Sequence, residues 1–293
     1  MPYVVQRLIC YRVVIEHAPL EDELGDILDK AMRHADLTEY VLAERAQVSA
    51  EKIHDAIDYR YDLDTAEIRR LAAALDLNEM GLLALAEKRY PVPEIAGLPF
   101  CLYPLRFAHG IGVANAYIVA DCCASTGLLF DTGTDYFQLR RLWPRNIKRP
   151  EAIFITHGET EHIGGLSELT AHDGPVPVFC PEGRCMKGAV ALGEGAKLSF
   201  GRLEVQALKT PGHCESHNCY VVTVPSAPSA APLLVSGDTL FAGSTGAAFY
   251  CRQKLAANLR RMLDQLPENT VVAPGHGPLT TIKNERRFNP FVV

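Results

Sequence analysis

The sequence has no uninterrupted apolar run of about 18 residues, the length a membrane-crossing helix needs, so no span is expected. It also lacks an excess of basic charge. The formal net charge is −6, which argues against a dominant role on nucleic acid, where lysine and arginine must meet phosphate. There is no G-x-S-x-G turn, so nothing points to a serine nucleophile on a strand-to-helix elbow. A paired cysteine framework is missing as well. The nine cysteines (Cys10, Cys101, Cys122, Cys123, Cys180, Cys185, Cys214, Cys219 and Cys251) are odd in number and without a repeat. Over 293 residues that reads as reduced thiols, not disulfides. The opening stretch "MPYVVQRLICYRVV" places Arg7 and Arg12 inside its apolar run and offers no small-residue cleavage site. It makes a poor export signal, and the cytoplasm is the expected location. What remains is ordinary globular material, 48% hydrophobic and 22% charged, long enough for one large core or two domains.

Residues 1–20 are strand-like. From 21 to 90 the apolar residues fall at helical spacing in about five short segments, among them "LTEYVLAERAQV", "SAEKIHDAI" and "TAEIRRLAAALDL". Ser49 and Thr65 are the expected N-caps, and Lys52 stands where a capping box after Ser49 would need an acid or amide. "PVPEIAGLPF" breaks the pattern and makes 91–99 a linker. From 100 to 293 short β-prone runs alternate with helical segments and Gly-rich turns, so an α/β domain is expected after a small all-α one. The helical stretch resembles the helix-turn-helix domain of phage-repressor-like regulators, in "LTEYVLAERAQVSAEKIHDAID" followed by "DTAEIRRLAAALDL". DNA reading is not expected of it. Residues 21–90 hold 17 Asp and Glu against 9 Lys and Arg, a net of 9 − 17 = −8. The presumed recognition helix sets Glu51, Asp55 and Asp58 against Lys52 alone, a surface that repels a duplex. Dimerisation or docking of a partner is the better reading.

The chemistry concentrates in "THGETEHIGG". His157, Glu159, Glu161 and His162 fall between a buried-strand run, "EAIFI", and a helix start. Such a cluster alone is often a solvated turn. Further along, however, His213 lies in "TPGHCESHNCY", Asp238 in "VSGDTLFAG" and His276 in "VVAPGHGPLTT", each at the end of a β-like run or in a turn beside one. Four imidazoles and three carboxylates carried on strand ends suffice for two metal ions sharing a carboxylate.

In order and spacing these motifs resemble the metallo-β-lactamase superfamily, over nearly all of 100–293. Within it they resemble the glyoxalase II-like hydrolases, through "GLLFDTG", "SGDTLFAGSTG" and "LPENTVVAPGHGPLTTIKNERRFNPF". The resemblance implies an α/β fold, an αββα sandwich with its site at the open edge. It assigns His157, Glu159 and His213 to one metal, Glu161, His162 and His276 to a second, and Asp238 to the bridge. Glu161 and Asp238 are the expected catalytic carboxylates. Two positions depart from the family pattern, which has His where this chain has Glu159 and Asp where it has Glu161. A carboxylate in place of an imidazole hardens the site and shifts preference from zinc towards iron or manganese. Glu159 in that place resembles flavodiiron proteins.

The expected function is therefore a dinuclear metal-dependent hydrolase of a thioester or small ester, with water activated by the metals. The alternative is a diiron protein that binds oxygen or nitric oxide, or senses redox state. The expected cofactors are two metal ions, iron first, with zinc or manganese as alternatives. Expected partners are a small-molecule substrate or dioxygen and a second copy of the chain, but neither DNA nor a membrane. Ala247 sits where the glyoxalase II-like pattern expects an arginine, which removes the usual contact to an anionic substrate. Cys214 and His217 are secondary candidates, the latter either as a group orienting a ligand or as an exposed polar residue of its turn. Asn115 and Tyr117 are expected to serve their strand, with a pocket wall as the alternative for Tyr117. His17, His34, His54, His109 and His172 have no motif context. Cys122, Cys123, Cys180 and Cys185 are expected to pack.

Overall fold

The computed structural model describes residues 18–60, 62–110, 112–183 and 187–293. The strand-like reading of 1–20 thus falls, through residue 17, outside the described residues. Five helices follow: α1 (Leu24–Ala35), α2 (Glu39–Ala46), α3 (Ala50–Ile57), α4 (Thr65–Leu75) and α5 (Glu79–Ala86). Ser49 caps α3 by accepting the Lys52 N–H, as its position suggests. Thr65 is not a cap. Asp64 takes that role and Glu67 closes a capping box with it, because the carboxylate one residue earlier accepts the free N–H groups and leaves Thr65 as the first helical residue. Leu28, Leu42, Ile53, Leu71 and Leu82 form the centre of this unit.

Among the described residues, twelve strands and five more helices form the rest. The first sheet runs β1 (Cys101–His109), β2 (Gly112–Ala120), β3 (Thr126–Phe130), β4 (Arg149–Phe154), β5 (Val178–Pro181) and β6 (Val190–Leu192), in that order. The second holds β7 (Lys197–Phe200), β8 (Leu203–Lys209), β9 (Asn218–Thr223), β10 (Leu233–Gly237), β11 (Val271–Pro274) and β12 (Thr280–Thr281), also in sequence order across the sheet. The pairs β3–β4 and β10–β11 are parallel. Their crossovers carry α6 (Tyr136–Leu142) and α9 (Arg252–Gln265), while α7 (Thr160–Ile163) and α8 (Leu166–His172) follow β4 and α10 (Ile282–Phe288) follows β12. Phe130, Phe154 and Tyr220 fill the space between the sheets. The outer faces are covered by Leu139 and Leu169 on one side and by Leu259 and Ile282 on the other. Strands buried on both faces need apolar runs and not alternation, which is how "GLLF", "AIFI" and "LLV" read. The architecture is the expected αββα sandwich with a small helical unit in front.

That unit is bound closely to the sandwich. A Cβ at Gly81 in α5 would stand 2.3 Å from the Phe288 carbonyl oxygen, so only glycine lets α5 approach α10. Tyr90, just beyond α5, hydrogen-bonds the buried Glu285 carboxylate, which also accepts the Gly243 N–H at 3.0 Å and the Thr280 hydroxyl at 2.6 Å. Lys30 of α1 pairs with Asp22 at 2.5 Å and donates to the Thr245 carbonyl at 2.6 Å.

Two cysteine expectations change. Cys180 is disulfide-bonded, against the reading of reduced thiols throughout, while Cys185 lies outside the described residues. Cys122 and Cys123 do not pack in the core. They are exposed in the turn after β2, where Cys122 Sγ lies 3.6 Å from Cys101 Sγ. Among the described residues no helix is long and apolar enough to cross a membrane.

Candidate metal centre

The ends of β3, β4, β10 and β11 and the turn after β8 meet at one rim, held by hydrogen bonds between turns. Asp131 N–H donates to Phe154 O, Asn218 N–H to Thr156 O, Gly275 N–H to Gly237 O and Asn115 N–H to Gly275 O. The seven residues singled out in the sequence converge there in two groups. Potential ligand atoms of His157, Glu159, His213 and Asp238 all lie within 4.8 Å of one another, as do those of Glu161, His162 and His276. Asp238 faces both. One oxygen is 3.5 Å from His162 Nε2; the other is 3.3 Å from His276 Nε2 and 3.9 Å from His213 Nε2. Gly275 keeps room for it, since a Cβ there would stand 2.1 Å from Asp238 Oδ1.

The hydrogen bonds behind the imidazoles fix which nitrogen faces inward. His162 Nδ1 donates to Asp131 Oδ2 at 3.1 Å. The Thr156 hydroxyl donates to the same carboxylate at 2.8 Å, so its oxygen is left to accept from His157 Nδ1 at 3.0 Å. His213 Nδ1 donates to the Ala247 carbonyl at 2.8 Å. Each ring therefore turns an Nε2 lone pair to the centre. The buried Nε2 atoms of His157 and His162 and Oδ1 of Asp238 find no hydrogen-bond partner. His213 Nε2 faces Glu159 Oε1 at 3.0 Å, a contact that needs either a proton on the ring or a metal ion between the two. Buried acceptors converging without donors are what a metal site requires, and the donor set fits two ions.

The electrostatics agree. Burial would raise the Asp238 pKa, but His276 and His162 outweigh it and hold the carboxyl well below the usual range. Contacts with His157 and His213 do the same to Glu159. Burial would lower His276, yet Asp238 lifts it to about 9. Against burial, the neighbouring carboxylates also raise His162 and His213, whereas burial keeps His157 lowered, so protons on the other three rings compensate the carboxylates wherever metal does not.

A profile of the metallo-beta-lactamase superfamily matches residues 109–276, a span that includes all seven side chains. The chain belongs to the metallo-beta-lactamase superfamily. It is 30% identical to "Probable metallo-hydrolase YqgX" of Bacillus subtilis over 61% of this chain and 92% of that one. Against the hydroxyacylglutathione hydrolase of Pectobacterium atrosepticum it is 35% identical, over 45% of this chain and only 50% of that enzyme. Among solved structures, the BLEG-1 B3 metallo-beta-lactamase superposes with a TM-score of 0.53 at 28% identity, covering 66% of this chain and 99% of that one.

Within this superfamily frame the structure separates the secondary candidates. His217 is 1% exposed, so it is no surface turn residue. Its Nε2 accepts the Asp238 N–H at 3.1 Å and its Nδ1 contacts the Thr210 hydroxyl at 2.8 Å, which fixes the backbone that carries Asp238. Cys214 lines the adjoining cavity and donates to the Ser216 carbonyl at 3.3 Å, outside both ligand groups. Tyr117 serves its strand from within the core. It is buried between the sheets, and its hydroxyl donates to the Pro274 carbonyl at 2.7 Å. Asn115 does more than serve β2, since its amide holds the His276 turn through the Pro274 and Gly277 carbonyls at 3.0 and 2.8 Å. His109 is also closer to the chemistry than its sequence context suggests, with Nε2 3.5 Å from Glu161 Oε1. Glu21 gave no signal in the sequence, yet it comes from the helical unit to within 3.7 Å of His276 Nδ1. Only folding brings it there.

Asp131, the aspartate of "GLLFDTG", sits at a left-handed φ of 57°, a conformation Asp tolerates better than most residues. It accepts from His162 and from both the N–H and the hydroxyl of Thr156. Asp131→Asn should weaken metal binding at the His162 group by roughly 10- to 100-fold, measured by competition with a chromophoric chelator. An unchanged affinity would show that His162 needs no such anchor.

Proposed function

We propose that this protein is a metal-dependent hydrolase of a thioester or small ester, working with two metal ions of which iron is the preferred identity. The observation that carries the reading is the pair of ligand groups with Asp238 facing both, the first of which lines a cavity of about 450 Å³ through His157, Glu159 and His213. His157, His213 and Glu159 would hold one ion, His162, His276 and Glu161 the other, with Asp238 between them. Each ion would then have two imidazoles, a glutamate of its own and a shared aspartate, a hard set that suits iron or manganese better than zinc. When bound, the ions supply Lewis acidity to a carbonyl and lower the pKa of a water. The chain supplies position. Asp131, Thr156 and the Ala247 carbonyl lock three rings, His217 fixes the Asp238 backbone, and the cavity beside Glu159 receives the acyl group. Half-exposed His109, beside Glu161, can pass a proton to the departing sulfur or oxygen.

Glu159, in the place of an imidazole, supports a second reading as a diiron redox or oxygen-reactive protein, because carboxylate charge stabilises the ferric state and weakens Lewis acidity. One iron-loaded preparation separates the two. The hydrolase reading expects close to two metals per chain, turnover in a thioester and lactone panel, and loss of that turnover in His162→Ala. A single zinc per chain after iron loading would remove the diiron assignment. Absence of turnover, together with a new visible band on meeting air that requires Glu159, would replace the hydrolase by the redox protein. The helical unit is proposed to dock a protein or a second copy of the chain and not DNA, since Lys52 on α3 is already paired with Glu67 at 2.9 Å.

A further inference from the structure

Beside the Glu159 group lies the cavity of about 450 Å³, within the usual size for a small-molecule site. One wall is apolar and built by Ile163, Pro181, Phe249 and Tyr250. Phe249 is 74% exposed and Tyr250 43% exposed, and the Phe249 ring stands 5.3 Å from the His213 ring. Two large aromatic faces left to solvent at the mouth of a polar metal centre are costly unless something covers them. The charged groups of this cavity are carboxylates, Glu159 and Glu215, and no lysine or arginine lines it among the described residues. Lys254 stands over the outer Tyr250 ring at 4.9 Å.

The same two aromatics form a wall of a second cavity of about 440 Å³ against α1. Its cations are engaged. Lys30 pairs with Asp22 at 2.5 Å, Arg33 pairs with Asp29 at 2.6 Å, and Arg252 donates to the His34 carbonyl. Among the described residues the cations beside the Phe249–Tyr250 ridge are thus taken up, Lys254 by the ring and hydroxyl of Tyr250, and a carboxylate placed there would be desolvated without a partner.

We infer that this cavity takes an uncharged, apolar acyl group, carried on a thiol or alcohol that has no carboxylates, and that Phe249 sets this preference. The inference names the substrate class of the hydrolase proposed above and rests on that reading. It assigns the ridge a selectivity that neither the fold nor the ligand groups require.

The test uses the metal-loaded full chain and straight-chain acyl thioesters of two to eight carbons, each on N-acetylcysteamine and on glutathione. The value of kcat/KM is expected to rise about threefold per added methylene over the first few carbons. The uncharged carrier is expected to be favoured by at least tenfold over glutathione, which brings two carboxylates. Phe249→Ala should flatten the chain-length slope. A slope is a ratio within one variant, so a general loss of activity does not mimic that change. A flat slope in the parent protein, or preference for glutathione esters, overturns the inference and leaves the hydrolase standing. Should no ester of either kind be turned over, the hydrolase reading falls, and binding of a non-hydrolysable octanyl thioether of N-acetylcysteamine decides the cavity separately. Calorimetric binding weakened at least fivefold by Phe249→Ala upholds its selectivity, and no binding overturns it.

Discussion

Asp238→Ala is expected to remove the metal held by Glu161, His162 and His276, to weaken the metal held by His157, Glu159 and His213, and to lower kcat/KM by about 10³-fold or more. The reason is geometric. Its two oxygens lie 3.3 to 3.9 Å from three imidazoles drawn from both groups, so no other carboxylate in the site serves both. The loss should also leave a mark on the metal-free protein. Asp238 is 5% exposed and faces imidazoles on every side. Removing it leaves any protonated ring without its counter-charge, a change that costs about 3 kcal/mol or more when a buried pair is broken. Asp238→Asn retains the shape and separates these effects. It should keep more of the fold than alanine while still losing the bridge. Elemental analysis of both variants, with unfolding monitored by urea titration, makes the comparison. Two metals retained at full occupancy in Asp238→Ala would show that Asp238 is not shared.

The second large effect is a dependence of metal affinity on pH. Asp238, against the opposing effect of burial, raises His276 from 6.5 to about 9 in the metal-free protein. A raised imidazole pKa means that its ion pair contributes stability that is complete below about 6.5 and lost as the pH rises through about 9. Metal needs the same Nε2 as a lone pair, so proton and metal compete. Below about 9 each pH unit should cost up to tenfold in affinity for the His276 group, or up to about 10³-fold between pH 9 and pH 6, from this ring alone. Metal-free protein should therefore lose stability towards alkaline pH while the metal-loaded protein gains it. Thermal unfolding of both forms across that range, with metal affinity measured in parallel, checks the sign. Parallel stability curves for the two forms would show that His276 carries no such proton.

The sequence by itself determined a good deal of this molecule. The apolar runs "GLLF", "AIFI" and "LLV" are unbroken because each strand is covered on both faces, and helical spacing between 21 and 90 marks α1 to α5. The seven side chains of the proposed centre could be named because each follows a strand or sits in a glycine-bearing turn, a local pattern that a chain carries in its order. Asp64 beside Thr65 shows the limit of that reading even at short range, since two adjacent residues could cap and the stronger acceptor took the position.

What tertiary structure alone decided is everything that depends on contacts distant in sequence. His217 looked like one polar residue in a loop; its burial and its hold on the Asp238 N–H exist only because β9 and β10 lie side by side. The burial of Tyr117 between the sheets, the approach of Glu21 to His276 and of His109 to Glu161, and the aromatic ridge shared by two cavities follow from how the sheets and the helical unit meet. None is encoded in periodicity, because periodicity reports which face of an element is covered and not what covers it. The ligand tautomers belong to the same class. They are set by Asp131, Thr156 and Ala247, and it is this set of hydrogen bonds, more than the motif itself, that turns the imidazole lone pairs toward one point.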